Sequence, residues 1–384
     1  MKDKKKARKA LIAFLAVLLA GLIAVCAINV YVDPFFHYHK PYTDKFYYTL
    51  DNQRSQNDGI LRHFDYDAVI TGSSMTENFR TSELDQLFGT NSVKVCFSGA
   101  TYHEINDNLE KALEAHPDLK MAVRGIDMSM IFEDKDDLRM DLGEYPDYLY
   151  DDNLFNDVSY LLNIDVLAKR SLPMILKSLK GEEGGITSFD DYSNWMADYS
   201  FGIQAVCPEG VSFDPAGQTI AMTQEEAETV RASVRQNLTA VAKAHPDTTF
   251  YYFLTPYSVL WWHSLYMSGE LEKYVEAQRI LIEEVLECDN IRLFQLNTLT
   301  EITCDLNNYR DTLHYGIWVN DLILQYMKED KCRLTEDNYE AYLNEVRDIY
   351  LNYDYASLNG QTDLENDDEA AELMWQEVEE GILP

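Results

Sequence analysis

Two short segments hold residue types that can do acyl chemistry together. Ile70-Thr71-Gly72-Ser73-Ser74-Met75-Thr76-Glu77-Asn78 sets two serines after an apolar run, and Tyr309-Arg310-Asp311-Thr312-Leu313-His314-Tyr315-Gly316 sets an aspartate and a histidine three apart. A serine hydroxyl is a weak nucleophile until an imidazole takes its proton, and that imidazole needs an acceptor on its other nitrogen to fix its tautomer. All three parts are present, in the order Ser, Asp, His. Gly-Ser-Ser alone is frequent in turns, and Asp-x-x-His alone falls in many helices. The competing reading makes Ser73 and Ser74 caps of one helix and His314 a cap of another.

The surrounding pattern decides what positions these groups. Residues 68–71 read as a buried strand and 81–89 as a helix with a glycine stop, so the serines fall on a strand-to-helix turn, where open α/β sheets bind ligands. Further strands are predicted over 93–97, 121–126, 249–254 and 291–296, with helices over 103–115, 223–244 and 269–287 between them. The joint Ala-His-Pro-Asp occurs at 115–118 and again at 244–247, where proline ends a helix before a strand. His116 and His245 are therefore punctuation. Residues 128–222, which include Gly181-Glu182-Glu183-Gly184-Gly185, are too long for a plain loop and read as an inserted helical lid. An aromatic loop with Tyr257, Trp261 and Trp262 leaves the same sheet edge, suited to stacking on a sugar ring or against the lid. Helix is expected to about residue 355, and a mobile polar end after it.

The chain resembles the SGNH (GDSL-like) hydrolase superfamily, on Gly72-Ser73-Ser74 for its first block and Asp311-Thr312-Leu313-His314 for its last. The resemblance implies a flavodoxin-like, three-layer α/β/α fold with about five parallel strands, Ser74 as nucleophile, His314 as base and Asp311 as its orienting carboxylate. It implies an oxyanion hole from the backbone N–H groups of Ser74 and Gly99, the glycine that ends Val93-Lys94-Val95-Cys96-Phe97-Ser98-Gly99. The family's third block falls on Gly125-Ile126-Asp127-Met128, with Asp127 where the family has an asparagine donor; Asn78 and Asn106 are the alternatives. Among membrane-anchored envelope types the likeness is to the DltD-like and alginate O-acetylation-like groups. It implies a serine esterase or O-acyltransferase acting on acylated cell-surface polysaccharide, with no cofactor. A second expectation is a catalytically degenerate relative that binds glycan or a membrane-bound O-acyltransferase partner.

The N-terminus sets the expected location. Residues 1–9 are basic and residues 10–32 carry no charge, enough at about 1.5 Å per residue to cross a hydrocarbon layer of about 30 Å. The pattern predicts a single-pass signal-anchor in a bacterial cytoplasmic membrane, N-terminus inside and main domain outside. Val25 argues against a lipoprotein site at Cys26, and the apolar run exceeds a cleaved signal's core. Tyr31, Phe35, Phe36, Tyr38 and Tyr42 would form an aromatic collar at the interface, within a juxtamembrane segment 33–60. The α/β domain is then expected over 61–332, with an acidic extension over 333–384. A net charge of −34 repels nucleic acid, which excludes DNA or RNA as a partner. Six cysteines without regular spacing give no disulfide framework, though they leave room for one bridge, and no cluster has metal-ligand spacing.

Overall fold

The computed structural model describes residues 2–139, 146–151, 153–182, 185–186, 188–211, 217–364 and 366–384. Two compact units emerge: residues 1–64 with 142–187, and residues 65–141 with 188–384. Each is described by itself.

The second unit is α/β. Its sheet has strands β1 (Ala68–Gly72), β2 (Ser92–Cys96), β3 (Met121–Ile126), β4 (Thr249–Leu254), β5 (Ile291–Gln295) and β6 (Arg333–Leu334), in the order β2-β1-β3-β4-β5-β6. The first five are parallel, as the repeated helix-strand pattern predicts, and β6 runs antiparallel to β5. At two residues β6 is too short to carry a period of its own, so its sequence reads only as the start of the extension.

Strands β1, β2 and β3 are buried throughout, which is why they appear as near-continuous apolar runs rather than alternations. The two cations inside them are satisfied by backbone. Lys94 Nζ donates to the carbonyls of Glu77, Phe79 and Asp190, and Arg124 donates to the carbonyls of Asn237 and Tyr102. The helix Thr81–Phe88 stops at Gly89, whose φ of 70° is the left-handed conformation a glycine supplies. His116 and His245 sit at helix C-caps before β3 and β4, and the long helix ahead of β4 contains a π-helical turn, Arg235–Thr239.

The C-terminal end, which composition reads as a mobile polar segment, forms regular elements with buried side chains. Tyr355–Gly360 forms a 3-10 turn and Asp367–Glu379 a helix, with Leu358, Ala370, Met374 and Leu383 buried. Gln361 accepts from the N–H of Leu306 and donates to the carbonyl of Cys304, and Asn307 accepts from the N–H of Leu364. Polar side chains thus dock this end by hydrogen bonds, which a hydrophobicity count misses.

The first unit begins with the helix Lys2–Val32, long and apolar enough by length and composition to cross a membrane. The expected aromatic collar is corrected: Phe35 and Phe36 are buried, and of the five aromatics only Tyr31 is largely exposed. Asp33 causes this. Its carboxylate accepts the N–H groups of His37, Tyr38 and His39 and the hydroxyl of Tyr160, closing a turn that folds the aromatics inward. Phe35 stacks on Tyr160, and Phe36 packs against Tyr48 and Phe64. Of the segment expected as one insertion, 142–187 falls in this unit, while 128–141 and 188–222 belong to the sheet unit. Glu183 and Gly184 of its glycine-rich run lie outside the described residues.

Candidate active site

The turn after β1 separates the two serines. Gly72 has a φ of 150°, and a Cβ there would lie 2.7 Å from the Thr76 side chain, so the turn needs glycine. Ser73 then points inward: its Oγ donates to Asp127 Oδ2 at 2.6 Å and accepts the N–H of Met75 at 3.2 Å. Ser74 opens a 3-10 turn, Ser74–Thr76, and its Oγ lies 2.8 Å from His314 Nε2. Thr76 Oγ1 pins the turn to Cys96 Sγ at 3.1 Å. The capping reading is thus right for Ser73 alone.

The second segment meets the first from beyond β5. His314 Nδ1 lies 2.8 Å from Asp311 Oδ2, and Asp311 Oδ1 also accepts the N–H groups of Leu313 and His314 at 2.8 Å. Burial alone raises the Asp311 pKa, but the His314 hydrogen bond and charge and these two N–H groups outweigh it, leaving the carboxyl well below its usual range. Arg310 Nε donates to the same carboxylate at 3.1 Å, and its guanidinium lies over the rings of Trp195 and Tyr199. Trp195 meets His314 edge-on at 5.6 Å. A serine, an imidazole and an ionised carboxylate are therefore linked in line, the arrangement that lets a hydroxyl lose its proton as it attacks a carbonyl.

Ser74 and His314 open onto a cavity of about 520 Å³ that Gly99, Asp127, Glu133 and Arg139 also line. Among the described residues, no acceptor takes up the backbone N–H of Ser74 or of Gly99. Asp127 lines the cavity without serving as a donor. It is fully buried, which raises its pKa against the hydrogen bonds of Ser73 and Tyr257, and its two oxygens accept from those hydroxyls at 2.6 and 2.9 Å. Asn78 is not at the site: it is buried and its Oδ1 accepts the N–H of Trp195 at 3.1 Å. Asn106 instead bonds Glu110.

The aromatic segment divides in the same way. Tyr257 lines the cavity, with its hydroxyl between Asp127 and Ser129. Trp261 and Trp262 do not, because the segment read as a loop becomes the helix Val259–Ser268 immediately after Ser258. Trp262 stacks flat on Tyr350 at 4.4 Å, and Trp261 packs against Tyr257 and Tyr274.

Sequence reasoning missed three charged groups of the cavity, Glu133, Asp137 and Arg139. Arg139 Nη1 donates to Gly99 O at 3.0 Å and occupies the space a Cβ on Gly99 would need. Glu133 is pushed up to about 7 by burial, with Asp137, Glu104 and Asp127 adding to the shift. All three lie in the acidic run 133–139, which the sequence places inside the expected lid; Arg139, one of only two cations in it, was the available signal. Cys96 is no nucleophile, since burial pushes its thiol up to about 12. All six cysteines are free, and among the described residues no cluster is placed to hold a metal ion.

No protein-family model matches the chain, and no curated protein matches it in sequence. The solved structures similar to it include the following two. One is a Streptococcus pneumonia chain provisionally assigned as a platelet activating factor, at 12% identity and a TM-score of 0.35, covering 72% of this chain and 90% of that one. The other is an acetyl xylan esterase from the rumen bacterium Butyrivibrio proteoclasticus, at 10% identity and a TM-score of 0.29, covering 72% and 64%. At these scores neither likeness carries a functional inference.

Proposed function

We propose that the chain is a membrane-anchored serine acyl hydrolase or acyltransferase of the SGNH type, acting outside the bacterial cytoplasmic membrane on ester groups of envelope polysaccharide. The observation that carries this reading is the line of hydrogen bonds Ser74-His314-Asp311 opening onto a cavity. Ser74 Oγ attacks the ester carbonyl carbon while its proton passes to His314 Nε2, and Asp311 holds the Nδ1–H. The oxyanion is met by the N–H groups of Ser74 and Gly99. Collapse expels the sugar alkoxide, which takes the proton from His314 and leaves an acyl-Ser74. Water, or a second sugar hydroxyl, then gives its proton to His314 and attacks that ester, regenerating Ser74. Arg139, lying on Gly99, adds positive charge where Asp127 supplies no donor. The N-terminal helix is the anchor, with its basic end in the cytoplasm.

One observation favours a second reading, a degenerate relative that binds glycan or a membrane-bound O-acyltransferase: both oxygens of Asp127 act as acceptors. Loss of a side-chain oxyanion donor costs about 10²- to 10³-fold in rate when nothing replaces it. A fluorophosphonate probe separates the two. The protein is expected to label and to release acetate from acetylated sugars, and Ser74→Ala to do neither. Absence of Ser74-dependent labelling sinks the enzyme reading.

A further inference from the structure

We propose that the helices of residues 154–179 are seated in the outer leaflet of the membrane beside the N-terminal helix, with lipid as their partner. This rests on the reading of that helix as an anchor. Its side chains are exposed through residue 24 and begin to be covered at Val25. The uncharged, uncovered run from residue 10 to 24 spans about 22 Å at about 1.5 Å per residue, against a hydrocarbon layer of about 30 Å. The bilayer must therefore continue about 8 Å further, to roughly Asn29.

At that level the anchor is no longer bare. Asn29 is buried, donating to the carbonyl of Leu161 at 3.1 Å and accepting from Ser171 Oγ at 2.9 Å. These partners belong to the short helix Val158–Leu161 and to the run of helix over 164–179, which contains the π-helical turn Leu167–Ser171. A polar Asn29 in hydrocarbon requires such partners. Elements that surround a membrane-spanning helix at hydrocarbon depth must themselves turn apolar side chains outward, and these do.

Val166 and Met174 face inward, yet Ile164, Leu172, Leu176 and Leu179 are exposed at helical spacing, and Phe155 ahead of them is 94% exposed. A helix apolar on both faces is suited to lipid rather than water. Charge points to lipid headgroups as well. Residues 154–180 hold Lys169, Arg170, Lys177 and Lys180 against Asp157 and Asp165, a local excess of cations in a chain of net charge −34. Basic and apolar residues together on a surface helix are the signature of interfacial seating.

The test places a photoreactive benzophenone amino acid singly at Leu15, Phe155, Leu176 or the exposed Asp118 of the full chain, in nanodiscs of phosphatidylglycerol and phosphatidylethanolamine. Lipid adducts are read by mass spectrometry, and each variant is first checked by thermal melting. Adducts are expected at Leu15, Phe155 and Leu176, with at least tenfold fewer at Asp118. Adducts at Leu15 with none at Phe155 or Leu176 overturn the proposal and leave the anchor intact. No adduct at Leu15 overturns the anchor reading beneath it. Repeated in native membranes, a protein adduct replacing the lipid adduct at Leu176 overturns it in favour of a protein partner.

Discussion

Ser73 and Ser74 are neighbours whose hydroxyls meet different partners, Asp127 and His314. Ser73 Oγ ties the buried Asp127 to the turn, so Ser73→Ala leaves that carboxylate with one hydroxyl fewer and should cost about 1–3 kcal/mol of stability. Calorimetry should show the loss, while fluorophosphonate labelling of Ser74 persists. Glu133 gives a pH signature. Its folded-state pKa is raised from 4.5 to about 7, so its contribution to stability is full below about pH 4.5 and is lost as pH rises through about 7. Glu133→Gln should flatten that decline in melting temperature between pH 5 and 8. The pair Asp311 and His314 was legible because three-residue spacing is all the imidazole needs to reach the carboxylate. Arg139 was not, because only the fold brings it onto Gly99.

At the scale of elements, the site depends on how β1 ends. Gly72 and Gly125, on adjacent strands, both face Thr76, whose Cγ2 would lie 2.7 and 3.0 Å from a Cβ added at either. At Gly72 the positive φ adds backbone strain, so Gly72→Ala is expected to cost about 1–3 kcal/mol and to displace Ser74 from His314. A melt combined with the labelling rate checks it: a stability loss without slower labelling would separate the turn from the site. Strands β3 and β4 were legible to the residue, because β-rich runs lie between a His-Pro-Asp joint and a polar turn. The helix carrying Trp261 and Trp262 was not, since an aromatic run with no 3.6-residue alternation gives no period to read.

Across the whole molecule, 66 carboxylate residues against 32 Lys and Arg leave a strong self-repulsion. Raising sodium chloride from 10 to 150 mM should therefore raise the melting temperature, as the screening length falls from about 30 Å to about 8 Å. A flat response in calorimetry would mean that the paired surface charges already cancel the field. Composition signalled the N-terminal helix. It could not show that residues 142–187 join the N-terminal segment rather than the sheet, because that pairing rests on Asp33, Asn29 and Tyr160 meeting across the chain.

The docking of the last residues has a consequence in time. Gln361 holds the backbone of Cys304 and Leu306, and the Leu364 N–H donates to the Asn307 side chain, in the stretch leading into Asp311 and His314. A nascent chain that has emerged through His314 already contains Ser74, Asp311 and His314 but not the clamp that steadies the path between β5 and the histidine. The line from Ser74 to Asp311 thus depends on residues synthesised well after the histidine, and a growing polypeptide carries all three side chains before the segment that steadies them exists.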